Sequence, residues 1–331
     1  MKKKLAVIIL NWNGRKLLER FIPDAAANTI GEEADLFVAD NGSTDDSLEW
    51  LRANHPGVKV IPFPENYGFA EGYNRALEAT RYPYTVLLNS DVRVPAGWWQ
   101  PLLHFMEENP DVAACQPKIR SERQPEMFEY AGAAGGYLDR FGYPYCRGRL
   151  FDRVERDEGQ YDGPPADVAW ASGAALMVRT QDYLDAGGLD ADFFAHMEEI
   201  DLCCRLLARG RRVCALTDSA VYHVGGASLD QSSPQKTYLN FRNNLLLLHK
   251  NLPRRRGRSL LFKRRLLDTL AFGMFLLKGN FSHARAVLKA HGDFRRMRRK
   301  YTDLPERDVL STLPGAGRCI VLDRYLFNKS K

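Results

Sequence analysis

The chain has 331 residues, 45% of them hydrophobic, an ordinary soluble composition that can bury a full core and is most simply one large domain with an appendage. Its six cysteines, Cys115, Cys146, Cys203, Cys204, Cys214 and Cys319, form no CxxC pair or other metal-ligand spacing, so a cysteine metal site is excluded and reduced thiols in a cytosolic compartment are expected. The net charge of +6 hides an asymmetry: sixteen Lys and Arg between Lys250 and Lys300 face only Asp268 and Asp293, a local +14 that leaves −8 elsewhere.

In chain order, the basic start "MKKK" and the short run "LAVIIL" ending in Asn-Trp-Asn-Gly read as a first core strand rather than a signal peptide. Helix signals follow in "GRKLLERFI", then a strand in "ADLFVAD" and a capped helix in "STDDSLEWLRAN". "VKVIPF" is a third strand, Gly68 to Thr80 a helix, "YTVLLN" a fourth strand, "WWQPLLHFMEEN" a helix and "DVAACQPKI" another strand. Such alternation predicts βαβ units and a mainly parallel sheet. Residues 121–165 read as strands and a long variable loop. "ADVAWASGAALMVR" gives a strand and hairpin signal, followed by a short helix, "GGLDADFF", and the helix "EEIDLCCRLLARG". Two short strands are expected in "RRVCALTDSAVYHVGG", and an almost wholly helical chain after Gly226.

Polar residues gather where these strands end, which is where open α/β sheets bind ligands. In "ILNWNG", Asn11 and Trp12 suit a base-stacking platform with a hydrogen-bonding neighbour, or else an ordinary turn with an exposed Trp. In "VADNGSTDDS", Ser43 and Thr44 cap a helix, whereas Asp40 is not needed for capping and could accept hydrogen bonds from a base or ribose. In "ENYGFAEGYNRAL", Asn66 and Gly68 let backbone approach a ligand, and Asn74 lies on the following helix. "TVLLNSDVRV" ends on Asn89, Ser90 and Asp91, either turn residues or a metal site. "HMEEIDLC" bunches Glu198, Glu199 and Asp201 in a first helical turn, where acids favour the dipole and Glu199 could deprotonate a hydroxyl. His223 follows the apolar "AVY".

Together and in this order these stretches resemble the family 2 inverting glycosyltransferases of GT-A fold, especially their bacterial rhamnosyltransferase-like branch, over roughly Leu5 to Ser228 and into "YLNFRNNLLLLHKNLP". The resemblance implies an α/β fold with a mainly parallel mixed sheet flanked by helices, and a catalytic domain over residues 1–228 with a helical, basic region over 229–331. It also implies transfer of a sugar from a nucleotide-diphosphate donor to a hydroxyl of a cell-surface polysaccharide or lipid-linked glycan precursor, with a divalent metal, Mg²⁺ or Mn²⁺, on the diphosphate. Trp12 and Asp40 resemble the base-binding pair, with Asn11, Asn66, Gly68, Asn74, Asn89 and Ser90 around the nucleotide sugar. "NSD" occupies the place of the DxD element, so Asp91 is the implied metal ligand and Asn89 replaces its first acid; "HVGGAS" makes His223 the second ligand. "MEEIDLC" matches the acidic pair, with Glu199 as base one methylene longer than the usual Asp and Glu198 as fallback. "WASGAALMV", with Ser172 and Gly173, resembles the acceptor side. A non-catalytic nucleotide-sugar-binding or scaffold protein of the same fold is the alternative.

The basic region from Arg254 to Lys300 combines helical apolar spacing with clustered Arg and Lys, which suits a helix lying on an anionic membrane surface. Its apolar stretch "TLAFGMFLL" is far shorter than the roughly 20 residues needed to span a bilayer. No nucleic-acid motif accompanies the charge. A cytoplasmic protein, peripheral on the inner face of the cytoplasmic membrane, is therefore expected.

Overall fold

A computed structural model of the chain describes residues 3–225, 233–313 and 315–325, the side chains of Arg324 and Tyr325 excepted. The boundary expected at 228 and the "GAS" of "HVGGAS" lie outside these residues. The elements run β1 (Leu5–Asn11), α1 (Arg15–Thr29), β2 (Ala34–Asp40), α2 (Ser47–Asn54), β3 (Lys59–Pro62), α3 (Gly68–Thr80), β4 (Tyr84–Leu88), β5 (Val92–Arg93), α4 (Gln100–Glu108) and β6 (Val112–Ser121). Short strands β7 (Gly136–Leu138), β8 (Pro144–Cys146), β9 (Arg149–Leu150), β10 (Arg153–Val154) and β11 (Ala166–Asp167) follow. Then come β12 (Ala175–Arg179), α5 (Thr180–Asp185), α6 (Glu198–Ala208), β13 (Arg212–His223), α7 (Pro234–Lys250), α8 (Arg254–Leu277), α9 (Phe281–Met297) and α10 (Ile320–Tyr325).

The main sheet has the order β11-β13-β6-β12-β4-β1-β2-β3, with β5 paired to β13. Strands β4, β1, β2 and β3 are parallel neighbours, and β12 enters antiparallel to β4. Strand β1 alternates between two cores: Ala6 and Ile8 face α3, α6 and α7, while Leu5, Val7 and Ile9 face α1 and α4. That burial on both faces is why its sequence is continuously apolar. Because β1 leads to β2 on one side and has β4 on the other, the carboxyl ends of β4, β1 and β2 open on one crevice at the switch in strand order.

Several expectations are corrected. Helix α1 does not stop before Pro23 but continues to Thr29, since the core contacts of Phe21, Ile22 and Ala25 outweigh one lost backbone hydrogen bond. "RRVCALTDSAVYH" is not two strands but one, β13, parallel to β6 and irregular between Leu216 and Ala220, where the Ser219 hydroxyl donates to the buried carbonyl of Trp98. "ADVAWASGAALMVR" forms no hairpin, because β11 pairs with β13 whereas β12 lies between β4 and β6. "GGLDADFF" contains only a 3₁₀ turn, Ala191–Phe193.

Candidate active site

At the end of β1, Asn11 sits in register with Asp40 at the end of β2. The Asn11 amide donates to Asp40 Oδ1 at 2.9 Å and to the hydroxyls of Ser47 and Ser43 at 3.0 and 3.2 Å, and Asp40 Oδ2 accepts from the Ser43 backbone at 3.0 Å. Both residues are buried, so they brace the strand ends. Trp12, by contrast, is 58% exposed and offers a free indole face. Gly14, which sequence reasoning passed over, is required here: a Cβ would stand 2.4 Å from Asn11 Oδ1.

The neighbouring loop is tied by Asn41, which donates to Asn66 Oδ1 and the Gly68 carbonyl, each at 2.9 Å, and accepts from the Tyr67 amide. Gly68 has φ 79° with open space where its Cβ would be, so glycine serves the backbone conformation here. Asn74 stands apart from this group. Its amide nitrogen donates to the Leu189 carbonyl, and its oxygen accepts from the Leu189 amide and the Tyr183 hydroxyl, tying α3 to the loop before α6. Ser172 is also committed to the scaffold, its hydroxyl donating to the Ala131 carbonyl at 2.6 Å. Gly173 lies against Glu199: a Cβ there would be 3.8 Å from that of Glu199.

After β4, Ser90 is half-buried between Asn89 and Asp91, and the chain doubles into β5, whose Val92 pairs with His223 at the end of β13. That pairing brings Asp91 Oδ1 to 3.1 Å from His223 Nε2, with Asn89 Nδ2 3.5 Å from the same nitrogen. On the far side of the ring, Nδ1 lies 3.3 Å from Glu129 Oε2, an ion-pair contact without hydrogen-bond alignment. Burial pulls the His223 pKa down, but the two flanking carboxylates outweigh it and hold the ring at about 10. Glu129 comes from the irregular segment, where no periodicity or motif marks it in the sequence.

The residues fit a divalent cation. An imidazole nitrogen and a carboxylate oxygen converge, and a second carboxylate lies behind the ring, on the side where metal-ligating histidines commonly have a partner. Among the described residues no group of three or more His, Cys, Asp and Glu is arranged around one metal position.

Glu198 and Glu199 open α6 after a loop in which Phe194, His196 and Met197 all have positive φ, 64°, 67° and 74°. Non-glycine residues in such conformations cost roughly 1–3 kcal/mol each, so the surroundings must over-determine the loop. Asn243 and Arg242 of α7 supply that constraint through hydrogen bonds to its carbonyls. Both glutamates have a buried Oε2 with no hydrogen-bond partner. Burial pushes Glu199 up to about 7 against the pull of the helix-start amides. Burial and then the neighbouring Glu199 charge hold Glu198 well above the carboxylate range. Glu199 is therefore the member of the pair that ionises near neutrality. His196, also not foreseen, is held down to about 4 by burial and then by the Lys236 charge, so it is neutral there.

The strand ends of this mainly parallel sheet carry an exposed indole, an acid–histidine pair and a buried acidic helix start. Residues 6–153 match the family model described as glycosyl transferase family 2. Over 241 residues the chain is 26% identical to the N-acetylglucosaminyl-diphospho-decaprenol L-rhamnosyltransferase of Mycobacterium tuberculosis, covering 67% of this chain and 76% of that protein. Among solved structures, Staphylococcus aureus TarS 1-349 in complex with UDP-GlcNAc superposes with TM-score 0.58 at 18% identity, over 88% of this chain and 80% of that one. GalNAc-T7 with UDP, GalNAc and Mn²⁺ does so with TM-score 0.56 at 15% identity over 74% of this chain, which spans about half of it (47%). The family 2 glycosyltransferase match thus covers residues 6–153, and over 241 residues the chain is similar to a rhamnosyltransferase.

Proposed function

We propose that this enzyme moves a sugar, with rhamnose favoured by its relatives, from a nucleotide diphosphate to a hydroxyl of a lipid-linked or cell-surface glycan precursor, with inversion at the anomeric carbon. The observation that carries the reading is Glu199: an unpartnered carboxylate oxygen at a helix start, beside Gly173, in a group that ionises near neutrality. Glu199 takes the proton of the acceptor hydroxyl as its oxygen attacks opposite the departing nucleotide. Trp12 stacks on the base, with Asn11, Asp40, Asn66, Gly68, Asn89 and Ser90 shaping the crevice around the donor. Asp91 and His223 would hold Mg²⁺ or Mn²⁺, with Glu129 orienting the imidazole. When bound, such a cation neutralises charge on the diphosphate leaving group. Donor oxygens and water would complete a shell to which the protein gives two ligands.

The enzyme works at an anionic membrane surface. Helix α8 exposes Phe262, Leu266, Leu270, Met274 and Leu277, and α9 exposes Phe281 and Leu288. Exposed Arg255, Arg258, Lys263, Arg265, Lys278 and Arg285 accompany them, which is charge-complementary to anionic lipid. No helix among the described residues is long and apolar enough to cross a bilayer.

The test begins with a thermal-shift screen of nucleotide sugars with Mn²⁺ or Mg²⁺, followed by transfer assays with the stabilising donor. Glu199→Gln is expected to lower kcat by about 10²–10⁴-fold while donor binding persists; unchanged turnover would remove Glu199 as the base. Asp91→Asn is expected to abolish the additional stabilisation that Mn²⁺ gives the nucleotide complex. A variant still stabilised to the wild-type extent would reject Asp91 as a ligand.

A further inference from the structure

The loop that delivers the base is held from outside the catalytic sheet. Asn243, in the middle of α7 and fully buried, has its amide nitrogen 2.9, 2.8 and 2.7 Å from the carbonyls of Phe193, Ala195 and His196, two N–H groups shared over three acceptors. Its own oxygen accepts from Arg242 Nε at 2.8 Å, which fixes the amide with its donors toward the loop. Arg242 Nη2 donates to the carbonyls of Asp192 and Phe193 at 3.1 and 2.8 Å. Four successive or near-successive carbonyls thus point at one pair of side chains. The loop's own backbone bonds amount to one 3₁₀ turn and a tight bond from the Ala195 amide to the Phe193 carbonyl, and three of its non-glycine residues have positive φ, so these side-chain donors add constraint that its backbone lacks.

We propose that Asn243 and Arg242 are positioning residues for catalysis: they clamp the carbonyls of residues 192–196, fix where helix α6 begins, and thereby aim the Glu199 carboxylate at the acceptor hydroxyl. The proposal rests on Glu199 being the base. Anchoring α7 to the protein does not require these two polar side chains, because Leu245, Leu246, Leu247 and Leu248 already lie in the core that contains α6. Nor does Arg242 spend its charge on an acid: among the described residues its partners are carbonyls, Asn243 and the Tyr238 hydroxyl. A buried guanidinium used on neutral acceptors alone is costly unless the geometry it enforces matters.

The test uses the full chain with dTDP-rhamnose, Mn²⁺ and N-acetylglucosamine on a short prenyl diphosphate, together with amide hydrogen exchange. Asn243→Asp keeps the shape but turns a donor into an acceptor facing three carbonyls; Asn243→Ala removes the group, and Arg242→Lys is the mild variant. Exchange across residues 193–201 is expected to rise by about tenfold or more in Asn243→Asp, with β1 and β4 unaffected. For that variant kcat is expected to fall by about 10- to 100-fold with donor KM within about twofold, and Arg242→Lys is expected to fall between it and wild type. Unchanged exchange over 193–201, or exchange raised equally in β1 and β4, overturns the clamp. Full turnover in Glu199→Gln instead overturns the base reading, and the exchange measurement still decides the clamp.

Discussion

Two adjacent glutamates at one helix start show how far chemistry depends on position. Glu198 and Glu199 are the same residue type one position apart, yet burial and the neighbouring charge keep the first neutral while its neighbour ionises near 7. The two titrate as a pair, so the ionisation near neutrality is a property of both carboxyls together. Since only the ionised carboxylate accepts a proton, kcat/KM is expected to rise tenfold per pH unit below about 7 and level off above it. The same shift has a stability sign. The folded state binds more protons than the unfolded chain between the ordinary glutamate value and about 7, so stability falls as pH rises through that window. Melting temperatures of wild type and Glu199→Gln between pH 4.5 and 8 check this, with the decline expected to be shallower in the variant. Asn89 acquires a definite place at this scale: a neutral amide beside His223, where a carboxylate would add a third negative group to Asp91 and Glu129.

At the scale of elements, the strand ends were legible because buried parallel strands are continuous apolar runs and their polar ends stand out. Asn11, Asp40, Asn89 and Asp91 were found that way. Glu129 and Asn243 were not, since Glu129 belongs to a segment without period and Asn243 is, by pattern, just one polar residue on an amphipathic helix. The exposed face of α8 is the counterpart on the outside. Phe262, Leu266, Leu270, Met274 and Leu277 follow each other at three or four residues, so they share one face. Replacing Phe262, Leu266 and Leu270 by Ser is expected to reduce co-sedimentation with phosphatidylglycerol vesicles by about tenfold or more, with thermal stability nearly unchanged because the side chains are already exposed. Wild-type binding by the triple variant would reject this face as the membrane contact. Substitution is a cleaner test than truncation, since Leu260, Leu261 and Phe294 of the same helices are core residues.

Across the whole molecule, the C-terminal helices and the catalytic sheet share one apolar core. Leu260 and Leu261 of α8, Phe294 of α9 and Leu310 join a cluster that also holds Ile8, Leu87 and Cys203. Polar contacts reinforce the junction: Lys250 reaches Asp190 at 2.5 Å and Asp201 at 2.8 Å, and Tyr301 donates to Asp190 and Asp192. The helices that carry the basic, apolar face are thus packed with the helix that holds the loop leading to Glu199.

The sequence by itself determined the alternation of strands and helices, the polar strand ends, the acidic helix start and the basic C-terminal region, because each follows from local periodicity or composition. Only the tertiary structure decided that Asp91 meets His223 through the β5–β13 pairing, that Glu129 stands behind the ring, that Asn74 and Ser172 serve the scaffold, and that α7 grips the loop before Glu199. These are contacts between residues roughly 40 to 130 positions apart. They depend on which strands become neighbours and which helix faces meet, and no local pattern in a single chain encodes that.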